Sequence, residues 1–168
     1  MIQTVEPGIP VPDRYTAYVD AMIDTLKATV ATHGKSDPFI VIGSLTDGWA
    51  MPVYGITELP FELGCAAITE TARKINAEFV MISRTLIGAN AKTREEAEAM
   101  AAKYKRPEDC PNAQRVAFVS LETYHGVWVA VKPVEVVDGV STIGDMELSS
   151  CDPLMSTLNL LPPRTPLQ

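Results

Sequence analysis

Cysteine is scarce. The 168 residues hold three, Cys65, Cys110 and Cys151, each more than 40 positions from the next. An odd count at that spacing excludes an ordinary disulfide framework and offers no CxxC-type zinc signature. A site assembled in space from these thiols with His33 or His125, the two histidines, is the less favoured reading, so no metal is expected. Long apolar runs are missing too. None approaches the ~18 residues that cross a bilayer as a helix. Basic charge is in deficit: 14 Lys and Arg stand against 21 Asp and Glu, a formal net charge of −7. That balance argues against nucleic-acid backbones and anionic membrane surfaces as partners, because the field of the protein repels them. The opening stretch, MIQTVEPGIPVPDR, lacks a basic segment followed by an apolar one. The expectation is therefore a cytoplasmic protein with reduced thiols. The stretch IGSLTDGW carries neither GxGxxG nor GK[ST], and no cofactor is expected.

What is present is an ordinary globular composition, 46% apolar and 21% charged. A single domain of this length buries about 70% of its extended-chain surface, enough for a core without staples. Prolines punctuate both ends. Pro7, Pro10 and Pro12 lie in the first dozen residues and LPPRTPLQ closes the chain. Residues 1–12 and 151–168 thus read as arms that flank a domain over 13–150. With Leu154, Met155, Leu158, Leu160 and Leu161 as apolar payload, the arms are expected to serve self-association rather than the fold.

Within the domain, Tyr15, Tyr18, Val19, Met22, Leu26 and Val30 recur at helical spacing, with Asp13 as N-cap and Gly34 as stop. PFIVIGSL reads as a strand buried on both faces, and Asp47-Gly48 as a hairpin turn into an edge strand carrying Pro52. A second helix presents Phe61, Cys65, Ile68, Ala72 and Ile75 as a narrow stripe. AEFVMISRTLIG is the next strand, with a parallel crossover from the first one left open. A surface helix follows, opened by the Thr93/Glu96 capping box, with Ala97, Met100, Ala101 and Tyr104 on its thin apolar side. QRVAFVSLE, VWVAVKPVEVV and STIGDMEL close the domain as a meander, the last two joined by Asp138-Gly139. The fold class is α+β: a mostly antiparallel sheet with a C-terminal β-meander, covered by two long helices.

Chemistry could reside in a few places. In LETYHGVWVAV, Glu122 and His125 are the residue types of an acid/base pair. They flank a short turn, however, where solvent would leave both untuned, and a polar hairpin tip is the favoured reading. IGSLTDGW offers Ser44, Thr46 and Asp47 as a ligand loop, against which stands a plain strand exit and turn. Trp49 reads as a packed edge-strand aromatic. Lys103, Lys105 and Arg106 gather at a helix C-terminus, where the dipole suffices to explain them. Arg84 interrupts an apolar strand and needs a partner, with Glu122 one candidate; an edge position facing solvent is the favoured reading.

The order of a long helix, a buried strand, a second helix, AEFVMISRTLIG, a charged insertion and RVAFVSLETYHGVWVAVKP resembles uncharacterised small α/β proteins of phages and bacteria. The resemblance covers residues 13–148, rests on layout, and carries no catalytic residue over. It implies an accessory or interaction role. The sequence therefore favours a non-catalytic interaction or assembly protein acting as a homo-oligomer, with a further protein partner possible. The alternative is a small-molecule-binding protein or enzyme with a pocket near Arg84, Asp47, Glu122 and His125.

Overall fold

The computed structural model describes residues 8–151, apart from the Arg94 side chain, and residues 159–162. The remaining arm residues, Leu154, Met155 and Leu158 among them, lie outside the described residues. Helix α1 (Asp13–His33) opens on Pro12 with no side-chain cap. The capping role expected of Asp13 is therefore corrected: Asp13 sits in the first turn, where its charge complements the helix dipole. The helix stops at Gly34, whose φ of 74° is left-handed and whose N–H reaches the Val30 carbonyl.

Strands β1 (Phe39–Ser44) and β2 (Trp49–Val53) form the first hairpin. A 3-10 turn, Ile56–Glu58, leads into α2 (Phe61–Lys74), then β3 (Phe79–Ala89), α3 (Arg94–Lys103), β4 (Ala113–Thr123), β5 (Gly126–Val137), β6 (Val140–Ile143) and β7 (Ser149–Cys151). The sheet order is β2-β1-β3-β4-β5-β6, with β7 also paired to β5. Every strand pairing among the described residues is antiparallel, β1 with β3 included, which settles against the parallel crossover. The reason is the extra strand: β2 returns the chain along the sheet, α2 carries it back, and β3 then enters opposite to β1. Pro52 does lie on an edge strand. Asp138 and Gly139, with φ of 51° and 80°, make the two-residue turn between β5 and β6. Of STIGDMEL, read as the closing strand, only the first three residues are strand: β6 ends at Ile143, and the short β7 beyond that stretch was not foreseen.

Two apolar clusters lie on opposite faces of the sheet. α1 covers one with Tyr15, Val19, Met22, Ile23, Leu26 and Val30, packed around Phe79, Met81, Val119 and Leu121. Tyr15 and Tyr18 approach the Phe79 ring at centroid distances of 5.5 and 5.7 Å. Gly43 makes room for that ring: a Cβ there would lie 2.5 Å from Phe79 Cζ. The second cluster joins Ile40, Ile42, Val80 and Ile82 to Ile68 and Ala72 of α2. The α2 stripe is narrower than expected, because Phe61 is exposed. α3 keeps its Thr93 cap, which accepts from the Glu96 N–H, but none of its described residues is buried.

The described parts of both arms belong to the fold, contrary to the expectation that they serve only self-association. The Ile9 N–H donates to Ser150 Oγ at 2.8 Å, and the Trp128 indole N–H donates to the Ile9 carbonyl at 2.9 Å. Leu160 is buried in the second cluster. Extended proline-rich chain has few donors of its own, so docking needs acceptors and donors presented by the domain, and Ser150, Trp128 and Glu122 present them.

Because Leu26 is 1% exposed, Leu26→Ala is expected to cost about 2–5 kcal/mol. Urea unfolding checks this, and a near-neutral result would mean that α1 does not pack as described.

Candidate functional site

Most of the polar candidates gather at one end of the sheet, where β1 and β4 finish and β3 starts. The register places Gly43 opposite Phe79 and Phe79 opposite Thr123. Ser44 is fully buried. Its hydroxyl donates to Asp47 Oδ2 and accepts from the Asp47 N–H, both at 3.1 Å. Thr46 donates through its N–H and its hydroxyl to the two oxygens of Glu78, at 3.0 and 2.6 Å. The side-chain bond from Thr46, followed by the backbone one, holds the Glu78 carboxyl below its ordinary range. The would-be ligand loop thus directs its polar atoms into its own turn and onto Glu78, just ahead of β3. Glu78 escaped notice in the sequence because it reads as an ordinary strand-entry carboxylate.

Glu122 is not at an exposed tip, as expected, but 8% exposed on the α2 side of the sheet. It lies opposite Val80 and Val127 in the strand register, so its side chain shares a face with the second cluster. Its carboxylate accepts from the Leu160 N–H at 2.9 and 3.0 Å and from the Leu161 N–H at 2.9 Å. Burial pushes the carboxyl up, and the two amides pull back only in part. His125 is exposed at the turn, with its backbone N–H on Thr123 Oγ1. The two side chains therefore occupy different environments, one sealed under the C-terminal segment and one in solvent. They do not form an acid/base pair in this arrangement.

Arg84 corrects a second expectation. β3 is flanked by β1 and β4, so Arg84 is on an interior strand and half-buried, not on an edge. Its Nε is buried without a hydrogen-bond partner, the one such side-chain atom among the described residues. Glu122 is turned to the C-terminal amides and does not serve it. Arg84 lines a cleft of about 260 Å³ under the Ile56–Glu58 turn and the start of α2. Ile40, Ile56, Ile68, Ile82 and Phe118 wall the cleft, and Cys65 reaches it. Burial raises the Cys65 thiol, which keeps it protonated and a poor nucleophile at neutral pH. Asp47, Glu122 and His125, expected to share a pocket with Arg84, do not line this cleft. Among the described residues, no three His, Cys, Asp or Glu side chains converge as metal ligands, and no helix is long and apolar enough to cross a membrane. No cysteine there forms a disulfide.

No family model matches the chain, and neither a curated protein nor a solved structure matches it. The geometry therefore carries the functional reading.

The two glutamates should respond to pH with opposite sign. Unfolded, both titrate near the ordinary 4.5. Glu122 titrates higher in the fold, so its contribution is fully present below that value and is lost as pH rises through the folded value. Glu78 titrates lower, so its contribution is present above 4.5 and is lost as pH falls through the folded value. Melting curves of the wild type against Glu122→Gln should thus shift in favour of the wild type on acidification from neutrality. Against Glu78→Gln, the shift below about 4.5 should run the other way. Slopes of the same sign for both pairs would contradict the assignments. His125→Ala should alter stability by less than about 0.5 kcal/mol, as at ordinary surface positions.

Proposed function

We propose that the protein is a non-catalytic interaction protein that acts as a homo-oligomer in the cytoplasm, and that it associates through the α2 side of its sheet. The observation that carries this reading is an incompletely covered apolar face. α2 and residues 159–162 cover that face over Ile40, Ile42, Val80, Ile82 and Glu122. Further along, Phe118 pairs with Val131 in the register and both point to the same side. There Val131 is 53% exposed, while Phe118 is half-buried. At the margin, Phe61 and Leu63 are 62% and 59% exposed.

An apolar surface continuous with a core is the kind of patch that marks a contact site. A second copy is the occupant this reading commits to, for a reason of charge. A chain of net charge −7 repels itself except where a contact is nearly free of carboxylates, and Phe118, Val129 and Val131 provide such a zone on the strands, with Glu62 at its margin beside Phe61. Interface centres are depleted of acidic residues and enriched in aromatics and Arg. Two-fold pairing lets one such surface meet itself. The described parts of the arms dock on their own domain, so the contact is assigned to the sheet face instead.

Light scattering should give a multiple of the 18.2 kDa chain mass. Val131→Glu and Phe61→Glu should each return it to one chain while the far-ultraviolet circular dichroism stays unchanged. A wild type that remains one chain at high micromolar concentration overturns the proposal.

A further inference from the structure

The cleft invites a separate inference, because its walls are apolar and its one fixed charge has an unanswered donor. We propose that it binds a small aliphatic monocarboxylate, with the chain against Ile40, Ile56, Ile68 and Ile82 and the carboxylate on the Arg84 guanidinium. This proposal does not rest on self-association.

Three features support it. The first is charge. The guanidinium stays protonated at any working pH. A buried Nε–H without an acceptor is a standing cost that an anionic ligand removes. Nε–H and a terminal N–H present a planar fork that matches two carboxylate oxygens. Among the described residues no carboxylate answers it: Glu122 is engaged by the Leu160 and Leu161 amides, and the exposed Glu58 and Glu62, on the elements above the cleft, do not line it.

The second feature is shape. Gly64 on α2 brings the 3-10 turn close, since a Cβ there would meet Ile56 Cγ2 at 3.1 Å. That contact sets the roof of the cleft on the helix, while β1 and β3 supply the floor through Ile40 and Ile82. A preformed concave apolar site with few polar groups is the usual form of a ligand pocket.

The third feature is size. The volume, about 260 Å³, is just under the ~300 Å³ at which ordinary pockets begin. At the ~30 Å³ that a water-sized group occupies in a liquid, it holds about eight or nine such groups. Hexanoate is of that size. Hollows of about 350 and 310 Å³ beside α3 are lined by Met100 and Tyr104, but no unpaired buried polar atom of a described residue reaches them.

The test is calorimetric titration of the full chain with hexanoate and with hexanamide, which keeps the shape and drops the charge. Hexanoate should bind saturably, one per chain, and hexanamide about tenfold more weakly or worse. Arg84→Met keeps an unbranched stem and removes the unpaired donor, so it should melt no lower than the wild type. It should also lose the preference for acid over amide. Arg84→Lys keeps the charge without the fork and should bind hexanoate more weakly than the wild type. The absence of saturable hexanoate binding in both the wild type and Val131→Glu, equal affinity for the amide, or undiminished acid preference in Arg84→Met would each overturn the proposal. The same titration on Val131→Glu keeps the two questions apart. Binding retained in a single-chain variant supports the cleft whatever the oligomer does. Because Phe61 and Phe118 line the cleft as well as the proposed contact, binding absent both from an oligomeric wild type and from single-chain Val131→Glu sinks the cleft alone.

Discussion

Strand β3 is buried on both faces, and each face needs its own cover. Phe79 and Met81 look toward α1, Val80 and Ile82 toward α2. This alternation is the constraint from which much of the architecture follows. With α1 already filling one side, the chain must send a second helix to the other, and the β1–β2 hairpin sets up that return. α2 supplies only a short buried row, Gly64, Ile68 and Ala72. It is too narrow to seal the whole face. Leu160 extends the cover by adding its side chain to the same cluster.

The incomplete cover explains why the two charged side chains on this face fare so differently. Glu122 and Arg84 both lie on interior strands and both point away from α1. Glu122 falls under the C-terminal segment, where the Leu160 and Leu161 amides would otherwise be buried without acceptors. Carboxylate and backbone satisfy each other, an exchange that offsets part of the desolvation of both. Arg84 falls beyond that segment, next to the cleft, with no complementary group for its Nε. One end of the face is thereby closed and polar-satisfied, and the other is open with an unsatisfied cation.

Much of the fold is legible in the sequence because it is local. Spacing alone places α1, the Gly34 stop, the Asp138-Gly139 turn and the Thr93 cap, each of which depends on residues within a turn or two of one another. The same reasoning fails where the partner is distant. Glu122 reads as a hairpin-tip residue because its ligands are backbone amides 38 and 39 positions away, and amides carry no side-chain signature. Arg84 is visibly out of place in an apolar strand, yet whether the strand is an edge is a property of sheet order, which periodicity does not encode. Phe61 fits the α2 stripe by spacing but begins the helix beyond the reach of the sheet, so it stays exposed. The α2 stripe thus predicts the right face and overestimates its length.

The distribution of satisfied groups also bears on why catalysis is the weaker reading. A general base or nucleophile needs a donor or acceptor held ready for substrate. At the polar end of the sheet, Ser44, Thr46, Asp47, Glu78 and Glu122 all have hydrogen-bond partners that hold the turn, the strand entry or the C-terminal segment in place. Removing any of them for chemistry would loosen the structure that positions it. His125 is exposed at the turn. Among the described residues, the buried side-chain polar atom without a partner is Arg84 Nε, and a guanidinium is suited to holding an anion rather than to moving a proton. Recognition, of a second copy across the open face and of a carboxylate in the cleft, is the role we propose for these groups.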